Sequence, residues 1–422
     1  MFRKELLENG ITVVMERMTG VRSFTAGIWV KAGSRAESAP KGGISHFLEH
    51  MFFKGTARRS ARDIALEVDN IGADLNAFTS KENTAFYVKV LDLHMEKSLD
   101  VLADIFCHST LKDEDIERER DVIREEIKMV EDTPDDLIHD LFYRDVWGDG
   151  GLGRPVLGTR LSVKGISRDD LVGHVRRFYG TKDTIVACAG SFDPGRLLEV
   201  LNAKLGHLRR GSEPQPLPAP AFGEGVHIHR KRLSEVHICL GMKGFAQAHP
   251  RRYELYILNT ILGSGISSRL FQEIREKRGL VYTIYSFISS YADTGVFGVY
   301  AATGRKKAEE VVSLILEHLS QIPKDLRQEE LDKAKEQLKG NLILGLESTS
   351  TLMQNIAKQE IYLGRHYTPE EIIAEIDAVS LSGLKDTARM VMEGKSPVLS
   401  LLGPIESTKT KPFGDVLPPA IP

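Results

Sequence analysis

His46-Phe47-Leu48-Glu49-His50 combines the residue types of a metal-dependent hydrolytic site at a spacing that a helix can use. Two histidines four positions apart leave an α-helix on one face, because a turn takes about 3.6 residues. Both imidazoles can therefore reach one metal ion, and Glu49 lies on the same side. Zn²⁺ held by neutral imidazoles lowers the pKa of a bound water toward neutrality, and a nearby carboxylate can take the proton released. Met51-Phe52-Phe53 continues apolar, as expected of a helix pressed into a core.

A catalytic zinc site needs a third protein ligand and one open position. The segment from Asp113 to Glu131 is strongly helical by composition, with an apolar stripe of Ile116, Ile123, Ile127 and Val130. Glu119 and Glu126 fall within that stripe, two turns apart on one face. A carboxylate there is costly unless it is paired or bound to a metal. Glu126 as a direct ligand, and Glu119 as the partner of a ligating histidine, would resolve that cost. The alternative is an acidic, solvated helix whose acids reach its edge.

Three stretches together carry a resemblance to a known family. They are Gly42-Gly-Ile-Ser-His-Phe-Leu-Glu-His-Met-Phe-Phe-Lys-Gly-Thr56, Leu75-Asn-Ala-Phe-Thr-Ser-Lys-Glu-Asn-Thr84 and Arg120-Asp-Val-Ile-Arg-Glu-Glu-Ile127. The chain resembles the pitrilysin / insulinase / mitochondrial processing peptidase family of zinc metallopeptidases with the inverted H-x-x-E-H motif, and within it the bacterial members. Glu126 stands 76 positions after His50, close to the family's spacing for its third ligand. The resemblance implies one Zn²⁺ per chain on His46, His50 and Glu126, with Glu49 as general base and Glu119 in support. It places Asn76, Ala77 and Phe78 on an edge strand that holds extended peptide substrate through its main chain. It also points to Arg275 and Tyr282, within Leu270-Phe-Gln-Glu-Ile-Arg-Glu-Lys-Arg-Gly-Leu-Val-Tyr282, as groups that stabilise the charged transition state. The histidine that many relatives carry before Leu157-Gly158 is missing, and the long glycine-rich loop of non-catalytic processing subunits is reduced to Leu262-Gly-Ser-Gly-Ile266.

The elements that must position these residues read as mixed strands and helices. Strands are expected at 11–15, 24–32, 73–79, 84–91 and 183–190, and helices at 43–54, 60–71, 92–108, 113–131 and 168–178. Residues 213–225 are rich in proline and glycine and read as an extended linker. The order then replays: a strand from Glu235, helices at 252–262 and 268–277, strands at 281–289 and 295–302, and helices at 306–319 and 328–346. The expected fold is α+β with two similar domains, each a mostly antiparallel sheet with packed helices: 1–212 with the metal motif, 226–422 without it. The second copy has Asn259-Thr-Ile-Leu-Gly-Ser-Gly-Ile-Ser-Ser-Arg-Leu where the first has its ligands, so it would shape the site and not do the chemistry.

At 422 residues there is ample length for two cores, and the net charge of −3 with interspersed signs gives no nucleic-acid or anionic-membrane signature. No apolar run reaches the length of a membrane span. Residues 1–20 read as a strand and not as a signal or transit peptide, and three scattered cysteines suggest a reducing compartment, so a bacterial cytoplasm is expected. The function expected from motif and resemblance is a zinc metalloendopeptidase acting on short or unfolded peptides. Relatives of this size pair as clamshell halves around a chamber, which implies a homodimer with each site completed in trans. The alternatives are a non-catalytic scaffold or a peptide-binding subunit of the same fold.

Overall fold

The computed structural model describes residues 1–211, 217–393 and 396–405. In the first half of the chain the strands are β1 (Phe2–Leu6), β2 (Thr12–Arg17), β3 (Ser23–Val30), β4 (Asp74–Thr79), β5 (Thr84–Leu91) and β6 (Thr184–Gly190). The helices are α1 (Ile44–Phe52), α2 (Ala61–Asn70), α3 (Met95–His108), α4 (Asp113–Asp132), α5 (Pro134–Trp147), α6 (Arg160–Lys164), α7 (Arg168–Phe178) and α8 (Pro194–Leu205). The second half holds β7 (Gly225–Arg230), β8 (Glu235–Gly244), β9 (Thr283–Ser290), β10 (Gly295–Gly304) and β11 (Val398–Gly403). Its helices are α9 (Arg252–Gly263), α10 (Ala308–Asp325), α11 (Gln328–Leu346), α12 (Thr349–Leu363), α13 (Pro369–Asp377) and α14 (Leu381–Met392). Residues Phe271–Glu276, expected within an α-helix over 268–277, form a π-helical segment.

Both sheets are mostly antiparallel, with orders β1-β2-β6-β3-β5-β4 and β7-β11-β8-β10-β9. Each has one parallel pair, β2 with β6 and β7 with β11. Superimposing the orders maps β2 through β6 onto β7 through β11 in the same chain sequence, and only β1 has no counterpart. Helices between corresponding strands match too: α1 with α9, and α3 through α7 with α10 through α14. The duplicated order of elements expected from sequence is present as duplicated topology.

The compact units are not the contiguous segments 1–212 and 226–422. One unit comprises Met1–Met129, Arg154–Pro218 and Leu344–His366; the other comprises Val130–Gly153, Ala219–Ile343 and the chain from Tyr367. Corresponding helices are exchanged, α5 into the second unit and α12 into the first. Burial is the reason. The central strands β3 and β6 are apolar on both faces, so their sheet needs cover on each. On one face of the first sheet, Leu352, Met353, Ile356 and Ala357 of α12 bury against Val14, Trp29, Ala85, Ile185, Ala187 and Ala189. In the second unit α5 does the same with Ile138, Phe142, Val146 and Trp147 against Cys239, Val296, Tyr300, Val398 and Leu402. The expected linker falls partly outside the described residues, at 213–216; from 217 to 224 it forms no helix or strand.

Candidate metal centre

The other face of the first sheet carries the site. In α1 the residues Ile44, Phe47, Leu48, Met51 and Phe52 repeat at helical spacing and are buried in the main core. That orientation fixes His46, Glu49 and His50 along one edge of the helix, each half-buried. The helix begins at Gly43 with φ +91°, and a Cβ there would lie 2.5 Å from the Leu157 carbonyl oxygen. Only glycine satisfies both demands. The orphan amides of this first turn point at Glu37, whose carboxylate accepts from Gly43 N at 2.7 Å and Ser45 N at 2.9 Å. Burial pushes the Glu37 carboxyl upward, while those two amide bonds pull it back down.

α4 lies beside α1, pinned by Ile116, Ile123 and Ile127 in the same core. Arg120 ties the helices together: its guanidinium lies 5.5 Å from the centre of the Phe47 ring and donates to the Val163 carbonyl at 2.5 Å. Glu119 is buried, as its place in the stripe predicts. Glu126 is only half-buried, at the edge of the stripe and not within it.

His46, His50 and Glu126 each present one ligand atom, and the three atoms lie within 4.8 Å of one another. Glu126 Oε2 stands 3.7 Å from His46 Nε2 and 3.5 Å from His50 Nε2. These separations exceed a hydrogen bond. Two donors sharing one tetrahedral ion stand about 3.3–3.6 Å apart when each metal–ligand bond is about 2.0–2.2 Å, so the His50 separation fits such an ion and the His46 separation is slightly longer. Among the described residues His46 Nδ1 is buried without a hydrogen-bond partner, and Nε2 is the ring nitrogen turned to Glu126. Burial, with the neighbouring His50, lowers the His46 pKa to about 3, which keeps the ring in its neutral, metal-binding form. His50 Nδ1 lies 3.0 Å from Glu119 Oε2. An Nδ1–H donated to that carboxylate leaves the Nε2 lone pair free for a metal. The donor set fits zinc.

Glu49 is placed by a residue that the sequence reading passed over. Thr79 Oγ1 donates to Glu49 Oε2 at 2.6 Å, and burial pushes the Glu49 carboxyl up while this bond pulls it down. Thr79 ends β4, the edge strand of the first sheet, two residues after Ala77 and therefore on the same side of the strand. The edge position expected for Asn76, Ala77 and Phe78 is present, and the Ala77 N–H is bonded to the Asn76 side-chain oxygen at 2.8 Å. Lys54 was also missed. Its ammonium pairs with Glu119 Oε1 at 2.7 Å, and its spacing of four from His50 is the signal that could have found it. Glu37 left no local signal, because only folding brings it to the start of α1.

Arg275 and Tyr282 are together in the second unit. The Arg275 guanidinium lies 4.5 Å from the centre of the Phe271 ring and 5.4 Å from that of Tyr282, and Tyr282 is 78% exposed. In the second unit α9 and α11, the counterparts of α1 and α4, are without a cluster that could hold a metal among the described residues.

Comparisons with known proteins identify the family. A model of the insulinase family (peptidase family M16) matches residues 12–160, and a model of the peptidase M16 inactive domain matches residues 165–338. An uncharacterized zinc protease of Bacillus subtilis is 40% identical over 405 residues, covering 96% of this chain and 98% of the relative. A relative described in the same words from Streptomyces coelicolor is 39% identical, covering 98% of this chain and 92% of its own. The crystal structure of a protease from Helicobacter pylori has the same fold, with a TM-score of 0.90 at 24% identity, over 96% of this chain and 99% of that one. No helix among the described residues is long and apolar enough to cross a membrane. Its duplicated α+β fold, the family models it matches and its relatives aligned over nearly their whole length place the chain in the insulinase family, peptidase family M16.

Proposed function

We propose that the protein is a zinc metalloendopeptidase that cuts short or unfolded polypeptides. The observation that carries this reading is the convergence of His46, His50 and Glu126 within 4.8 Å, beside a carboxylate already held in place by Thr79. Zinc held by His46, His50 and Glu126 would supply a Lewis acid for the scissile carbonyl and would acidify a water. Glu49 takes the water's proton on its carboxylate and passes it to the leaving amine nitrogen, while Thr79 holds Oε2. Glu119 orients the His50 ring through Nδ1. An extended peptide lies along the open edge of β4 at Asn76, Ala77 and Phe78, and the Asn76 side chain swings off the Ala77 N–H to admit it.

Arg275 and Tyr282 supply positive charge and a phenol to the oxygen that becomes negative in the transition state. In this reading the chain works as a homodimer, and these two residues reach the site from the other copy around an enclosed chamber.

Purified protein should contain one zinc per chain and cleave an unstructured peptide until a chelator is added. Glu49→Gln should keep the zinc and lose cleavage. Zinc-free protein inert on every member of a peptide library would overturn the proposal in favour of a scaffold. For the trans arrangement, Glu49→Gln mixed with Tyr282→Phe should regain activity. No recovery in mixed dimers shown to form would refute it.

A further inference from the structure

We propose that Lys54 is a positioning residue for the metal centre, acting through Glu119 on the His50 ligand. The proposal deepens the zinc-site reading above and rests on it. Each oxygen of the Glu119 carboxylate is engaged by a different donor: Oε1 by Lys54 Nζ at 2.7 Å and Oε2 by His50 Nδ1 at 3.0 Å. Both donors come from the end of α1 and just beyond it, whereas Glu119 comes from α4. Lys54 is itself anchored, because its backbone N–H donates to the Met51 carbonyl at 3.1 Å. One carboxylate thus spans the two ligand-bearing helices and is held from both sides.

The pairing has a physical reason. The Glu119 side chain is only 8% exposed, and a carboxylate so placed needs a compensating charge as well as a hydrogen bond. An imidazole N–H supplies the bond but not the charge. Without Lys54 the carboxylate would turn toward solvent or toward the metal, and the His50 ring would lose the partner that sets its rotation and tautomer. The charge balance points the same way. Glu49, Glu119 and Glu126 bring three carboxylates and Lys54 one ammonium, so a dication cancels the remaining two charges.

The sign of the effect separates positioning from simple electrostatics. An ammonium near a cation site repels the cation, so deleting it for electrostatic reasons alone would tighten metal binding. If Lys54 instead holds Glu119 for His50, deleting it weakens binding.

The experiment is Zn²⁺ affinity by competition with a chromophoric chelator, together with the visible spectrum of the Co²⁺-loaded full-length protein. Lys54→Met should bind Zn²⁺ about tenfold more weakly, at the low end for partners of metal ligands, with an altered Co²⁺ spectrum. Lys54→Arg, which keeps charge and donor, should restore both. In a Glu119→Gln background Lys54→Met should cost nothing further. Unchanged or tighter binding by Lys54→Met, or an equal loss in the Glu119→Gln background, would overturn the proposal. Should Lys54→Met fail to fold, the double variant, which buries no unpaired carboxylate, carries the comparison against Glu119→Gln alone. Failure of the unaltered protein to bind Zn²⁺ would instead remove the zinc-site reading itself.

Discussion

Thr79→Val removes one oxygen and keeps the shape of the side chain, so it isolates the bond from Thr79 Oγ1 to Glu49 Oε2 at 2.6 Å. A hydrogen bond to an ionised group contributes about 1.5–3 kcal/mol. Thr79 and Glu49 are both half-buried, so solvent offsets part of this and the lower end, about 1.5–2 kcal/mol, applies. If the bond holds the carboxylate in its proton-accepting position, that energy enters the barrier. At about 1.4 kcal/mol for each factor of ten, kcat should fall about ten- to thirtyfold. KM should change little, because Thr79 Oγ1 is turned toward Glu49. The assay is steady-state cleavage of a quenched fluorogenic peptide, with zinc content measured on the same samples. Thr79→Ser, which keeps the hydroxyl, should retain most of the activity. A Thr79→Val enzyme with wild-type kcat and full zinc would refute the reasoning, since Glu49 would then need no outside support.

Other expectations follow from the same structure. Glu37→Gln leaves one of the Gly43 and Ser45 amides facing a donor in place of an acceptor; it should destabilise the fold by about 1–3 kcal/mol, read as a lowered thermal midpoint. Met353→Ala opens a cavity beneath Trp29, whose indole N–H donates to Met353 Sδ at 3.3 Å, and should cost about 2–5 kcal/mol. Amide exchange should then quicken in β2, β3 and β6; protection lost only in the second sheet would contradict the exchange of α12. His174 is buried against Phe178 and Tyr179, and burial, with Arg177 beside it, lowers its pKa to about 4, below the value of about 6.5 for an unfolded chain. The unfolded chain therefore takes up this proton first as pH falls. Stability from this group is complete above pH 6.5 and is lost between pH 6.5 and 4, by up to about 3 kcal/mol. Urea midpoints across that range should fall less steeply for His174→Phe; parallel profiles would show that the group does not titrate as described.

The candidate ligands of the first helix were legible in the sequence because helix periodicity is local. His46, Glu49 and His50 share an edge as soon as residues 44–52 become helical, whatever surrounds them. Glu119 was legible for a related reason, since a charge inside an apolar stripe is costly and stands out; Glu126, at the stripe's edge, was marked chiefly by its spacing of 76 from His50. The duplicated order of elements could also be read, because each strand and helix advertises its own period.

What remained hidden depends on atoms distant in sequence. Thr79 is an ordinary strand threonine until β4 comes to lie beside α1. Glu37 is an unremarkable acid until the loop at Leu157-Gly158 closes against Gly42-Gly43 and turns the first amides of α1 toward it. Nor could composition reveal that α5 and α12 change units. An amphipathic helix specifies that it must cover an apolar face, but not which of two similar faces it covers. The sequence by itself determined a helix able to hold zinc and a second helix able to complete the ligand set. Tertiary structure decided which neighbours hold those ligands and the base in place, because side chains far apart in the chain can be paired only by packing.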